Sequence, residues 1–141
     1  MNLMEIVRSE LVTIDQQQPL AIAAGLMGDK NVGAVVVIDN ARKVVGIITD
    51  RDIAMALGSG QVTTATPVAE VMTRDVHTIW QDQGIFNATQ SMMGHKVRRL
   101  PIIDRQEHLI GMVTADDLVG LFGRELLNVA KSLEPALGAP V

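Results

Sequence analysis

Shifting the chain by sixty-five residues lays residues 5–58 over residues 70–123 without a gap, and 14 of those 54 pairs are identical. The identities include Thr13/Thr78, Ile14/Ile79, Met27/Met92, Val32/Val97, Asp39/Asp104, Gly46/Gly111, Thr49/Thr114, Asp52/Asp117 and Gly58/Gly123, and many of the other pairs are apolar for apolar. Compositional bias can imitate isolated matches, but not an ungapped register with the turn residues in step, so the chain is an internal duplication. A half of about 55 residues buries too little surface to be robust alone. The two halves are therefore expected to pack face to face about a pseudo-twofold axis.

Each half reads strand, helix, strand, strand, helix. A short leading strand, "LVTI" or "VHTI", precedes a helical stretch, "PLAIAAGLMGD" or "GIFNATQSMMG", whose apolar residues recur at spacings of three and four. Two β-branched runs follow, "GAVVVID" then "KVVGIIT" in the first half, "RRLPIID" then "HLIGMVT" in the second. The polar turns between them, "DNAR" and "DRQE", have hairpin length. A last helix, "DRDIAMAL" or "ADDLVGLF", is expected to close at Gly58 or Gly123. The expected class is α+β, with two β-α-β-β-α units over residues 3–60 and 68–123. Residues 61–67 form the linker, within the polar run "GSGQVTTATP", and Pro67 suits the first turn of a short helix "VAEVM". Residues 124–141 are expected to add an amphipathic helix, "RELLNVAKSLEPAL", and a short tail.

Composition narrows the function classes. With 141 residues, 48% hydrophobic, the chain can build a real core, but two Phe, one Trp and no Tyr mean that Val, Ile, Leu, Ala and eight Met must fill it. Such aliphatic cores suit helices layered on sheets. The absence of Cys removes disulfide and thiolate chemistry and fits a reducing compartment. "MNLMEIVRSE" places Glu5 where an export signal would carry a basic flank and an apolar run, so the expected location is cytoplasmic. The longest uncharged stretch, residues 53–69, is broken by Gly58, Gly60, Pro67 and several Thr, short of the roughly 20 apolar residues of a membrane span. A net charge of −4 argues against a nucleic-acid partner, which requires a basic face.

The duplicated "GIITDRDI" and "GMVTADDL" place Thr49 and Thr114 at a strand-to-helix junction, with Asp52 and Asp117 three residues on. One reading is a capping box, in which the Thr hydroxyl accepts from the amide three residues on and the Asp answers. A second adds to it: free amides and a hydroxyl at a helix N-terminus can meet a phosphate, while an Asp one turn in can accept both hydroxyls of a ribose.

Taken in order, "LVTI", "VGAVVVID" and "VVGIITDRDI" in the first half and "VMTRDVHTI", "HKVRRLPIID" and "LIGMVTADDL" in the second resemble a tandem pair of CBS domains, a Bateman module, over roughly residues 3–123. The resemblance implies that the Asp holds a ribose diol, that the Ser/Thr approaches phosphate, and that the base slips between apolar residues supplied largely by the other repeat. On this sequence, one cleft would combine Thr114 and Asp117 with Thr13 and Ile14, and its mate Thr49 and Asp52 with Thr78 and Ile79. Arg98 and Arg99 stand where the family often has a phosphate-gripping base, whereas the matching first-repeat residues are Gly33 and Ala34, leaving Arg51 as that cleft's obvious cation. The Thr114/Asp117 cleft is therefore expected to be the stronger site, with Met112 close by and an Arg pair suited to a mono- or diphosphate. The competing reading of "HKVRR" is a charged strand edge that deters aggregation.

His77, His95 and His108 lack the spacing and partner acids of a metal site, so no metal is expected. Trp80 can stack on a base at a cleft mouth or pack on a neighbouring helix. No nucleophile–base pair, P-loop or carboxylate dyad can be assembled, so catalysis is not expected. The expected function is a regulatory sensor of an adenine nucleotide (AMP, ADP or ATP) or another adenosyl compound. The alternative is a ligand-free interaction module in which "DIAMAL" and "DLVGLF" serve as dimer surface. A homodimer follows from the resemblance, and a target protein is expected but unidentified.

Overall fold

The computed structural model describes residues 2–8 and 10–138. Helix α1 (Leu3–Ile6) precedes the first repeat, which comprises β1 (Thr13–Asp15), α2 (Leu20–Lys30), β2 (Ala34–Ile38), β3 (Val44–Thr49) and α3 (Asp50–Gly58). A 3₁₀ turn (Val68–Glu70) leads into the second repeat of β4 (Ile79–Trp80), α4 (Ile85–His95), β5 (Arg99–Ile103), β6 (Leu109–Thr114) and α5 (Ala115–Gly138). Each repeat folds as one three-stranded sheet with its helices, in the orders β1-β2-β3 and β4-β5-β6, so the α+β architecture holds in both halves. The short first strand pairs in parallel with the second, and the hairpin is antiparallel.

The duplication extends to single dihedral angles. In both hairpins the aspartate at the turn accepts two amides through Oδ1: Asp39 from Ala41 and Lys43 at 2.9 and 3.0 Å, Asp104 from Gln106 and His108 at 2.9 Å each. These bonds hold Arg42 and Glu107 left-handed, at φ 62° and 66°. A short aspartate side chain that mimics a backbone turn makes the strained residue tolerable without glycine. Likewise α2 and α4 end on left-handed Asn31 and Lys96, whose amides bond back to Met27 and Met92.

Three apolar clusters form the core, and two of them exchange chain segments. The first repeat's cluster, built on Ile14, Val35, Val37 and Ile48, also contains Val68 and Met72 from the segment that opens the second repeat. The second repeat's cluster, built on Ile79, Leu100, Ile102 and Val113, contains Leu3 and Ile6 of α1. The third cluster, Val36 with Leu109 and Met112, joins the two sheets. Beside it the Leu109 amide donates to the Arg42 carbonyl at 3.2 Å, and Lys43 pairs with Glu107 at 3.7 Å across the two hairpin turns.

The exchanged segments explain two of the duplicated glycines. A Cβ on Gly46 would lie 2.5 Å from Met72 Sδ and 2.9 Å from the Thr73 carbonyl oxygen, and one on Gly111 would lie 2.7 Å from Met4 Sδ. Gly46→Ala should therefore destabilise the fold by about 1–3 kcal/mol, the usual cost of overpacking. Gly28→Ala, which meets nothing within 4 Å on α2, should instead gain about 0.5–1 kcal/mol of helix propensity. Urea titration of the two variants checks the difference in sign.

Some local expectations need correction. α5 does not stop at Gly123 but runs unbroken for 24 residues, absorbing the separate helix expected from residue 124. A glycine inside a helix costs only about 1 kcal/mol; it ends one when it turns left-handed, and Gly123 has no positive φ. Pro67 is the N-cap of the 3₁₀ turn rather than part of its first turn. α1 was not anticipated, although Asn2 followed by Glu5 is its signal: the Asn2 side chain caps the Glu5 amide at 3.3 Å. Among the described residues no helix is long and apolar enough to cross a membrane. Of the tail "GAPV" expected at residues 138–141, Gly138 is the last residue of α5, and residues 139–141 lie outside the described residues.

Candidate functional site

Both strand-to-helix junctions close as full capping boxes. Asp52 N donates to Thr49 Oγ1 at 3.1 Å while Asp52 Oδ2 accepts from Thr49 N at 3.0 Å. The corresponding distances at Thr114 and Asp117 are 3.1 and 2.9 Å. The capping reading and the ligand reading thus use different oxygens: Oδ2 is committed to the helix, and Oδ1 is what a ligand could use.

The two repeats part at that oxygen. Asp117 Oδ1 accepts the Arg8 amide at 3.1 Å, and Asp117 is only 4% exposed. Arg8 aligns with Thr73 under the repeat shift, but Thr73 bonds as a strand would, exchanging bonds with Ile47 at 2.9 and 3.0 Å. Asp52 is consequently left half-buried, with no partner for Oδ1 among the described residues.

Two clefts flank the start of β5. One, of about 300 Å³, is lined by Thr49 and Asp52 of the first repeat and by Thr73, His77, Lys96, Arg98 and Arg99 of the second, among others. The other, of about 340 Å³, is lined by Thr114, Met112, Asp116, Arg98 and Arg99 together with Glu10 and the 31–34 segment of the first repeat. Arg98 and Arg99 line both, so the start of β5 is their common wall. The Arg98 carbonyl accepts Ala115 N at 2.8 Å, as the Gly33 carbonyl accepts Asp50 N at 3.0 Å. The backbone frame is the same in both halves, and only the second supplies cations there. Neither guanidinium is within ion-pair distance of a carboxylate among the described residues, whose pairs are Lys30–Glu10, Lys43–Glu107, Arg105–Asp82 and His108–Asp104.

Of the residues expected at the sites, Thr114, Met112, Arg98 and Arg99 come together in the larger cleft, and Thr49, Asp52, Arg98 and Arg99 in the smaller. Asp117 lines neither, because α1 brings the Arg8 amide onto it. Ile14 and Ile79 also line neither: strand alternation turns them into the cores of their own repeats, at 5% and 2% exposure. Thr13 and Thr78 are absent from both walls, as are Arg51 and Trp80, which are exposed on α3 and at the end of β4.

Lys96, Asp75 and His77 were not anticipated in the smaller cleft. Lys96 stands in the quoted "HKVRR", and its place follows from the left-handed end of α4, which turns the chain toward the cleft. His77 stacks on His95, with ring centroids 3.6 Å apart and 10° between the planes. The two are eighteen residues apart, a spacing that carries no periodic signal. Among the described residues no three His, Cys, Asp or Glu side chains are grouped to hold a metal ion.

The smaller cleft thus joins a carboxylate with one oxygen unbonded among the described residues and three cationic side chains, while the first amides of α3 are taken by the Gly33 carbonyl, Asp50 Oδ1 and Thr49 Oγ1. This set can bind a diol and an anion at once. Its lining contains no Ser, Cys or Lys held by a neighbouring base, as nucleophilic catalysis would need.

Comparison with known proteins identifies the family and the fold. The family model for the CBS domain matches the chain twice, over residues 3–59 and 68–124. The CBS domain-containing protein YhcV of Bacillus subtilis is 36% identical over 110 residues, covering 78% of this chain and 77% of that protein. The CBS domain pair of protein MJ0100, crystallised with 5′-methylthioadenosine and S-adenosyl-L-methionine, is similar at 27% identity and a TM-score of 0.75, covering 86% of this chain and 99% of that one. The CBS domain protein PAE2072 of Pyrobaculum aerophilum, complexed with AMP, shares the fold at 18% identity and a TM-score of 0.74, with 84% and 90% covered.

Proposed function

The chain belongs to the CBS domain family as a tandem pair, and on that premise we propose that it is a cytoplasmic, non-catalytic regulatory module that takes an adenosyl compound in the Asp52 cleft. One observation carries the choice of cleft: half-buried Asp52 lines a cleft with Lys96, Arg98 and Arg99 and has no partner on Oδ1 among the described residues, whereas Asp117 is buried, lines neither cleft and has an amide on each oxygen. The preference thereby moves from the Thr114/Asp117 cleft, expected from the arginines alone, to its mate, because both clefts share those arginines.

In this reading Asp52 Oδ1 accepts the ribose hydroxyls, and a 5′-phosphate lies against Lys96 and the Arg pair, where charge-assisted and bidentate bonds are strong. The adenosyl compounds bound by the similar MJ0100 pair support the ligand class. The three cations favour AMP or ADP over uncharged relatives, since a phosphate monoester carries about −1.5 to −2 charges. Filling the cleft signals only if the ligand binds one arrangement of the repeats better than another.

Calorimetry against AMP, ADP, ATP, NAD, S-adenosylmethionine and 5′-methylthioadenosine tests the proposal. Asp52→Ala should weaken the tightest binder at least tenfold, since a hydrogen bond to a charged group contributes about 1.5–3 kcal/mol. Unchanged affinity in Asp52→Ala would remove the site from this cleft.

A second reading has its own observation. Met55 on α3 and Val119 and Phe122 on α5 are exposed, Val119 by 70%, which suits a homodimer that presents its surface to a target protein without any ligand. Light scattering that finds a dimer, together with calorimetry that finds no ligand, would favour it.

A further inference from the structure

We infer that the chain's own amino-terminal segment holds the second adenosyl position shut, so that the protein takes one adenosyl compound per chain rather than two. The inference rests on the Asp52 reading and concerns the oxygen that the duplication left available in one repeat and took away in the other.

Duplication alone would give two equal sites, since the capping boxes agree within 0.1 Å in both bonds (3.1 and 3.0 against 3.1 and 2.9 Å). The occupant of Asp117 Oδ1 is the Arg8 amide, 109 residues away in sequence. It is held there by packing: Leu3 and Ile6 of α1 are fully buried in the second repeat's core, and Met4 lies against Gly111 on β6. The carboxylate is the sole buried charged side chain among the described residues. Each of its oxygens accepts a backbone amide, and it is only 4% exposed and lines neither cleft, so a ribose could reach it only by moving the Arg8 segment. In the first repeat the aligned amide, on Thr73, is engaged by the Ile47 carbonyl and never reaches Asp52. A ligand in the Thr114 cleft that uses Asp117 for its ribose must therefore disturb a charge-assisted bond that a ligand in the Asp52 cleft does not. This difference makes the second site weaker by at least about tenfold.

Arg8→Pro removes the one donor without removing the α1 side chains. Val7 before it is already extended, at φ −66° and ψ 127°, a conformation that a following proline favours. The probe is 5′-methylthioadenosine, whose lack of charge keeps the shared arginines from coupling the two clefts. Calorimetry should give one site per chain in the wild type and two in Arg8→Pro. Hydrogen exchange provides a second measurement should Arg8→Pro not fold: in wild type saturated with the probe, the Arg8 amide should keep its protection. Two equal sites in the wild type, loss of Arg8 protection on saturation, or a folded Arg8→Pro that still binds once would each overturn the latch while leaving the Asp52 reading standing. A wild type that binds no adenosyl compound would overturn both.

Discussion

Leu109→Ala should lower the free energy of unfolding by about 3 kcal/mol, within the 2–5 kcal/mol typical of a buried leucine cut to alanine. Leu109 is 1% exposed on β6 and meets Val36 of the other repeat's sheet, with Met112 beside it and Leu11, Ile38 and Val44 packed around them. This cluster is small, so no other side chain can close the void. Leu109→Asp should leave no cooperative transition, because an unpaired carboxylate between two sheets has neither water nor a partner. Urea unfolding followed by circular dichroism measures both. A loss under about 1 kcal/mol for Leu109→Ala would mean that the repeats do not depend on this contact. That outcome would conflict with the expectation that a repeat of this size is marginal alone.

The second large effect separates two aspartates that align in the repeat. Asp117→Ala should destabilise the fold by about 2–3 kcal/mol, since the part-buried amides of Arg8 and Thr114 lose their acceptor at once and leaving a buried group unpaired costs about 1–3 kcal/mol. Asp52→Ala removes a half-buried cap with one amide partner and should cost about 1 kcal/mol. Ligand binding should show the opposite order, with Asp52→Ala weakening it and Asp117→Ala leaving it intact at temperatures where the variant is folded. Thermal melts with and without AMP read both quantities from one preparation. Equal destabilisation by the two substitutions would show that the Arg8 bond contributes nothing in solution.

Most of the fold was legible because its signals are local. Periodicity of two and of about 3.6 marked strands and helices, and Asp39 and Asp104 marked turns whose hydrogen bonds span only four residues. The misjudged helix end at Gly123 shows where local signals stop: whether a glycine caps a helix depends on a dihedral angle that its neighbours in space help to set. The site was legible only in part. Thr49, Asp52, Arg98 and Arg99 could be named from motif and charge, but the assignment of Ile14 and Ile79 to a base pocket followed the family pattern, and their own strands bury them in the core. The stacking of His77 on His95 left no mark in sequence spacing.

What the sequence by itself determined is the duplication, the α+β order of elements and the two capping boxes, because each arises from residues close together in the chain. What only the tertiary structure decided is which capping aspartate remains available. The two segments that precede the repeats cross over, each packing on the other repeat, and they arrive with different backbone partners. Thr73 bonds to a strand, while Arg8 bonds to a carboxylate. A bond between residues 109 positions apart exists only after the chain has closed a long loop, and no pattern read along the sequence distinguishes its two outcomes.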